Sequence, residues 1–197
     1  MTTHAVPTIA PAAIVRTSRA VPLAAQATLV TSATARRWLA VTRLATGFVF
    51  LWAFLDKTFG LGFSTPLERA WINGGTPAQG FLMSEGVTGP LQPWFQSMAN
   101  PVVDVLFMAG MLAVGMAVML GIGLRVAAVS GAAIMLLMYL AEWPFLIGAG
   151  STNPVVDYHI VYALALILMA VLAAGDTWGL GAWWKKLDVV QRFHWLA

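Results

Sequence analysis

The sequence predicts an all-α integral membrane protein folded as a four-transmembrane-helix bundle, and three observations predict it. Hydrophobic residues fill 59% of the 197 positions and charged residues only 10%, against roughly 25% charged in an average soluble domain. Four apolar runs, at about 39–55, 102–122, 126–147 and 155–174, approach or exceed the roughly 20 residues that carry a helix across a bilayer. The runs are continuous, without the alternation of barrel strands, so helices are the structure that satisfies their backbone amides in hydrocarbon.

Residues 1–35 are rich in Ala, Thr, Val and Pro and contain no acid; they are expected to form a disordered cytoplasmic tail. The apolar run that follows begins too late and is too long for a secretory signal, so it is expected to remain as the first span. The four-helix membrane domain then covers residues 36–180. Residues 60–100 make a long connection that carries Trp71, Phe81, Trp94 and Phe95 among Gly and Pro. Its Thr65-Pro66, Thr76-Pro77 and Gln92-Pro93 pairs are each able to open a short interfacial helix, because proline at the first helical position loses only an amide that would be unbonded anyway. The second and third spans are joined around Gly121 to Arg125, a tight hairpin. Residues 181–197 combine Trp183, Trp184, Lys185, Lys186, Phe193 and Trp195, the composition of a cytoplasmic interfacial helix.

The basic residues sort by membrane side. Arg16, Arg19, Arg36, Arg37 and Arg43 precede or open the first span, Arg125 lies in the hairpin, and Lys185, Lys186 and Arg192 follow the fourth; only Lys57 and Arg69 fall on the other side. The positive-inside rule therefore places both termini in the cytoplasm and the long loop outside. The net charge of +3 reads as topology, and no nucleic-acid partner is expected. The absence of cysteine removes disulfides, thiolate metal sites, iron–sulfur ligation and any dithiol relay within the chain.

A pentapeptide repeats: Asn100-Pro101-Val102-Val103-Asp104 opens the second span and Asn153-Pro154-Val155-Val156-Asp157 the fourth. In each copy Asn is a helix cap, Pro takes the first helical position, and Asp enjoys the positive end of the helix dipole. Asp56 ends the first span and Glu142 lies near the outer end of the third, so two similar hairpins related about the membrane normal are expected. The consequence is a candidate outer cluster of Asp56, Asp104, Glu142, Asp157 and His159 for proton handling. Ionisable groups at that depth face a bundle interior or a wet path unless the interface solvates them, and a histidine exchanges protons near neutral pH. The competing reading makes the acids interfacial caps and His159 a structural hydrogen-bond partner. No HExxH or second intramembrane histidine occurs, so neither a tightly bound metal nor haem is expected. Gly74-Gly75 has neither the preceding strand nor the following lysine of a phosphate loop and reads as a turn.

Trp52-Ala53-Phe54-Leu55-Asp56-Lys57, then Trp71, Gly74-Gly75-Thr76-Pro77, Gly80-Phe81-Leu82 and Gly89-Pro90, followed by Asn153-Pro154, Asp157, His159-Ile160-Val161-Tyr162 and Trp178-Gly179-Leu180-Gly181, taken in order, resemble the DoxX family, in particular DoxD-like large subunits of thiosulfate:quinone oxidoreductase. The resemblance spans about residues 36–185. It implies a four-helix protein of a bacterial-type plasma membrane, a quinone or quinol as exchangeable cofactor with nothing covalently bound, and a protein partner subunit. A quinone site needs hydrogen-bond partners for two carbonyls inside an apolar, aromatic-lined pocket; Trp52, Trp71, Tyr139, Trp143 and Tyr162 are the candidate walls, although interfacial anchoring is the ordinary task of such residues. The alternatives are a non-catalytic accessory subunit of a larger respiratory or redox complex and a small-solute or lipid carrier.

Overall fold

A computed structural model describes residues 23–146 and 153–197, and all regular structure in these is helical. Three helices are long and apolar enough to cross a membrane: α2 (Ala33–Phe59), α5 (Pro101–Leu120) and α6 (Leu124–Glu142). Around them lie α1 (Gln26–Leu29), α3 (Pro77–Leu82), α4 (Gln92–Ser97), α7 (Tyr158–Val171), α8 (Gly181–Trp184) and α9 (Asp188–Arg192), with short 3-10 turns between several of them.

The helix limits follow from local chemistry. Ser32 caps α2 by accepting from the Ala35 amide, and Gly60 stops it in the left-handed conformation. Asn100 caps α5 by accepting from the Val102 and Val103 amides, Pro101 begins it, and Gly121 ends it. Residues 121–123 turn the chain directly into α6, which places α5 and α6 side by side.

The pentapeptide copies diverge in a way the sequence does not announce. Asn153 accepts from the Val155 and Val156 amides at 2.8 and 3.1 Å, as Asn100 does in the first copy, yet no helix follows. Asp157 becomes the cap, accepting from the His159 and Ile160 amides, and α7 begins at Tyr158 rather than at 155. Its 14 residues rise only about 21 Å at 1.5 Å each, short of the ~30 Å hydrocarbon core. The physical difference lies in the aspartates. Asp104 turns away from its own helix to bind α3, whereas Asp157 turns back on the amides that follow it.

α2 packs chiefly on α5, and α6 on α7, with α5 against α6 joining the pairs. Phe50, Met111, Val114, Val118, Met135, Leu166 and Met169 form the shared core. Gly115 lets α2 and α5 meet closely, since a Cβ there would stand 2.7 Å from the Leu51 backbone nitrogen. Large apolar side chains also point outward along the bundle, among them Phe48, Leu106, Val129, Leu137, Leu164 and Leu168, as expected of helices solvated by lipid.

Both terminal segments depart from expectation. Residues 23–35, assigned to the disordered tail, are ordered: α1 docks at the termini end of the bundle, where the Gln26 amide donates to Asp176 at 2.8 Å and the Thr177 hydroxyl to the Gln26 side chain at 2.6 Å. The Lys185 ammonium reaches both Asp176 (2.7 Å) and the Ala24 carbonyl (2.9 Å). Tertiary hydrogen bonds order a stretch with little intrinsic helical preference. The earlier part of that tail, and residue 147 at the end of the expected third span, lie outside the described residues. The expected C-terminal helix is broken into α8, α9 and a 3-10 turn, because Leu187 is extended between them. It folds back so that the Arg125 amide donates to the Ala197 carbonyl and the Trp184 indole to that of Leu196.

At the opposite, loop end, the proline pairs open a 3-10 turn at Leu67–Arg69, helix α3 and helix α4. Leu82, Val87, Phe95 and Ala141 form a second apolar cluster that fastens this connection to α6. The Thr88 amide and hydroxyl donate to the Ala141 and Glu142 carbonyls, both at 2.9 Å.

Candidate functional site

The loop end holds a pocket of about 660 Å³ beneath the long connection, within the size range of small-molecule and cofactor sites. Its walls are apolar where they reach along the bundle, through Leu106, Phe107, Ile134, Leu137 and Met138, and polar at the mouth, through Lys57, Ser64, Glu68, Arg69, Asn73 and Thr76. Leu106 and Leu137 are exposed on the lipid-facing side, so the apolar part opens sideways between α5 and α6. Phe81 and Phe95 close it from the loop. Lys57 and Arg69, the two cations that charge sorting leaves on this side, both stand at the mouth.

Two expected proton-handling acids tether loop residues that line the pocket, without lining it themselves. Asp56, 1% exposed, accepts from the Phe63 and Ser64 amides at 3.1 and 3.0 Å and from the Ser64 hydroxyl at 2.6 Å. Asp104 accepts from the Ala78 and Gln79 amides at 2.7 and 2.9 Å and from the Gln79 side chain. Thr76 makes no side-chain cap for α3, so Asp104 supplies one from α5 while standing in the first turn of its own helix. A single carboxylate thereby serves two helix N-termini, each with a favourable dipole. With their oxygens occupied by fixed donors, Asp56 and Asp104 are anchors of the loop.

The other three acidic and imidazole residues are gathered as a group, with one donor atom of each of Glu142, Asp157 and His159 within 4.8 Å of the others. His159 is 1% exposed, and its Nδ1 lies 2.7 Å from Asp157 Oδ2. The Tyr158 ring covers the imidazole at a centroid distance of 3.9 Å, and its hydroxyl reaches Glu142 at 3.4 Å. The five-residue cluster expected from the sequence is therefore divided: three residues converge and two are spent on the loop.

None of the five aromatic residues expected as quinone walls lines the pocket. Trp52 packs edge-on against Phe63, Tyr139 donates to the Val155 carbonyl at 2.9 Å, Trp143 meets Phe145, Tyr162 borders the main core, and Trp71 opens a 3-10 turn. The phenylalanines that do line it were not distinguishable by type from the other aromatics of the chain. Lys57 and Arg69 carried a signal, as the only cations on their side.

Arg43 was visible too, as a charge inside an apolar run, but reads in sequence as a topological marker. It is fully buried and donates to the carbonyls of Val118, Met119, Ala174 and Trp178. Comparisons with protein-family models, curated proteins and solved structures found no match to this chain.

Proposed function

We propose that the chain is a multi-pass membrane subunit that binds an isoprenoid quinone in the loop-end pocket and serves a quinone-linked oxidoreductase of the DoxX type. The observation that carries this reading is the pocket's polarity: an apolar groove open to lipid beneath a mouth of hydrogen-bond donors. A ring entering laterally would place its carbonyls near Lys57, Arg69, Ser64 and Thr76 and leave its tail between α5 and α6. Lys57 and Arg69 outnumber Glu68 among the lining residues, and their net positive charge favours the negative charge that develops as a quinone takes up electrons. Full reduction to quinol consumes two electrons and two protons, and a chain without cysteine has no thiol of its own to supply the electrons, so the reading includes a partner that delivers them. It also includes a fourth crossing, in which α7 is extended by residues 153–157, and an orientation with the termini in the cytoplasm and the pocket on the outer side of a bacterial-type plasma membrane.

The same pocket favours a lipid-handling carrier as the second reading, because two cations at a mouth above an apolar groove also suit a phospholipid head. The distinguishing experiment is purification in native-membrane nanodiscs followed by extraction and mass spectrometry, for the wild type and for Leu137→Trp, which fills the groove from a lipid-facing position. Near-stoichiometric quinone, lost in Leu137→Trp, is the expected result. Phospholipid alone in that role transfers the proposal to the carrier, and no ligand sensitive to Leu137→Trp overturns both.

A further inference from the structure

We infer that Glu142, Asp157 and His159 form a binding site for a divalent transition-metal cation of the zinc class at the loop end of the bundle. The donors come from two elements: Glu142 is the last residue of α6, Asp157 is the cap of α7, and His159 lies in the first turn of α7. Asp157 and His159 are near neighbours in sequence, but Glu142 stands on the preceding helix, which explains why no compact three-ligand motif announces them.

Three features converge on a cation. The donor atoms already lie within 4.8 Å of one another, so modest side-chain rotation brings them to the roughly 2.0–2.2 Å bond lengths of zinc with nitrogen and oxygen. With His159 neutral the group carries two negative charges, and among the described residues neither Glu142 nor Asp157 has a lysine or arginine within ion-pair distance; the ion pairs there are His159–Asp157 and, at the other end of the bundle, Lys185–Asp176. Finally, the imidazole is buried and held in place. Asp157 fixes it through the 2.7 Å Nδ1–Oδ2 contact and the Tyr158 ring covers it, which removes much of the entropy that ordering a ligand would cost.

One imidazole with two carboxylates selects the ion. Calcium and magnesium prefer an all-oxygen shell, whereas imidazole suits zinc and its first-row neighbours. A cation entering between Nδ1 and Oδ2 binds the neutral imidazole through the Nδ1 lone pair, with its single proton on Nε2, and so replaces the hydrogen bond between His159 and Asp157. Three protein ligands leave further positions for water or another small donor. A chief effect would be to join the C-terminal end of α6 to the start of α7.

The test uses the full-length protein in detergent, freed of any affinity tag, treated with chelator and then titrated calorimetrically with Zn²⁺; Co²⁺ provides a visible spectrum that reports imidazole and carboxylate ligation. Glu142→Gln is the main variant, because Glu142 is half-exposed and, among the described residues, its carboxylate holds only a long contact to Tyr158. His159→Gln is the second. The expected result is one equivalent of Zn²⁺ in the wild type, with affinity lowered at least ~10-fold in each variant, and a rise in melting temperature on zinc addition in the wild type alone. Absence of saturable binding, or binding that both variants retain, as a site at His194 or in the N-terminal segment would give, overturns the inference. Since the titration is run without quinone, either outcome leaves the pocket reading standing or falling on its own experiment.

Discussion

The two ends of the bundle are held by opposite charges, and they are closed to different degrees. At the termini end the Arg43 guanidinium gathers carbonyls from the last turn of α5 and from residues 174–178. Contact there is backbone to backbone: a Cβ on Gly175 would stand 2.1 Å from the Gly121 carbonyl oxygen. At the loop end two carboxylates, Asp56 and Asp104, gather amides instead. They suspend a connection over the helices and leave a pocket of about 660 Å³ beneath it. Arg43 meets the C-terminal turn of α5 and Asp104 the first turns of α5 and α3, the pairings that helix dipoles favour; Asp56, in the last turn of α2, opposes its own helix dipole and is held by the Phe63 and Ser64 donors instead. The lesson is a division of labour, with one end packed tightly enough to set the helix arrangement and the other held by a few tethers above an open pocket.

Removing the guanidinium should have the largest effect of any single change. Arg43→Leu removes the donor shared by the buried Ala174 and part-buried Met119 and Trp178 carbonyls, while Val118 keeps the Gly121 amide; at about 1–3 kcal/mol for each buried group left unsatisfied, a loss of roughly 3 kcal/mol is expected. Arg43→Lys should recover only part, because an ammonium cannot reproduce the planar fork that reaches separate segments at once. Thermal unfolding in detergent, read alongside folded yield, checks both; a variant as stable as wild type would remove Arg43 as the organiser of this end.

The next effect belongs to the loop. Asp104→Ala frees the Ala78 and Gln79 amides at the start of α3, and a cost of about 1–3 kcal/mol is expected. Its distribution is more informative than its size. Limited proteolysis within residues 60–100 should quicken several-fold, while hydrogen exchange around Arg43 stays at the wild-type rate. If both ends loosen together, they form one cooperative unit and the contrast drawn here fails. Thr88→Val sharpens the same point on a smaller scale: it removes the hydroxyl bond to Glu142 but keeps the amide bond to Ala141. About 1 kcal/mol is expected, confined to exchange of the segment joining α3 and α4.

These contrasts also explain what could be read from the sequence. The apolar runs, the proline starts of the short loop helices and the turn after α5 depend on local pattern and were legible. The late start of α7 was not, because it depends on whether an aspartate caps its own helix or reaches another, and the two pentapeptide copies are identical through those positions. The pocket was hidden for a related reason. Its polar rim is assembled from Lys57, Ser64, Arg69 and Thr76 across a loop with no periodicity, and the aromatic residues that seemed suited to a ring were taken up by packing or hydrogen bonding elsewhere. Glu142, Asp157 and His159 were expected in one outer cluster and do converge, but the departure of Asp56 and Asp104 to the loop depends on tertiary hydrogen bonds that the sequence does not display.

The smallest effect should come from a second arginine at the termini end. Arg125 and Arg43 read alike in the sequence, each as a cationic marker of one membrane face. Arg125 is exposed, and its guanidinium donates to the His194 carbonyl at 2.9 Å, while its backbone amide separately holds the Ala197 carbonyl. In Arg125→Ala the amide bond survives and water replaces the guanidinium, so stability should change by no more than about 0.5 kcal/mol. Arg43 is itself fully buried, as are its bonds to Val118 and Ala174, so water is a poorer replacement there. Measuring the two variants side by side turns that difference in burial into a ratio of several-fold. A near-equal loss would mean that the fold-back of residues 181–197 onto Arg125 carries as much of this end as the buried guanidinium does.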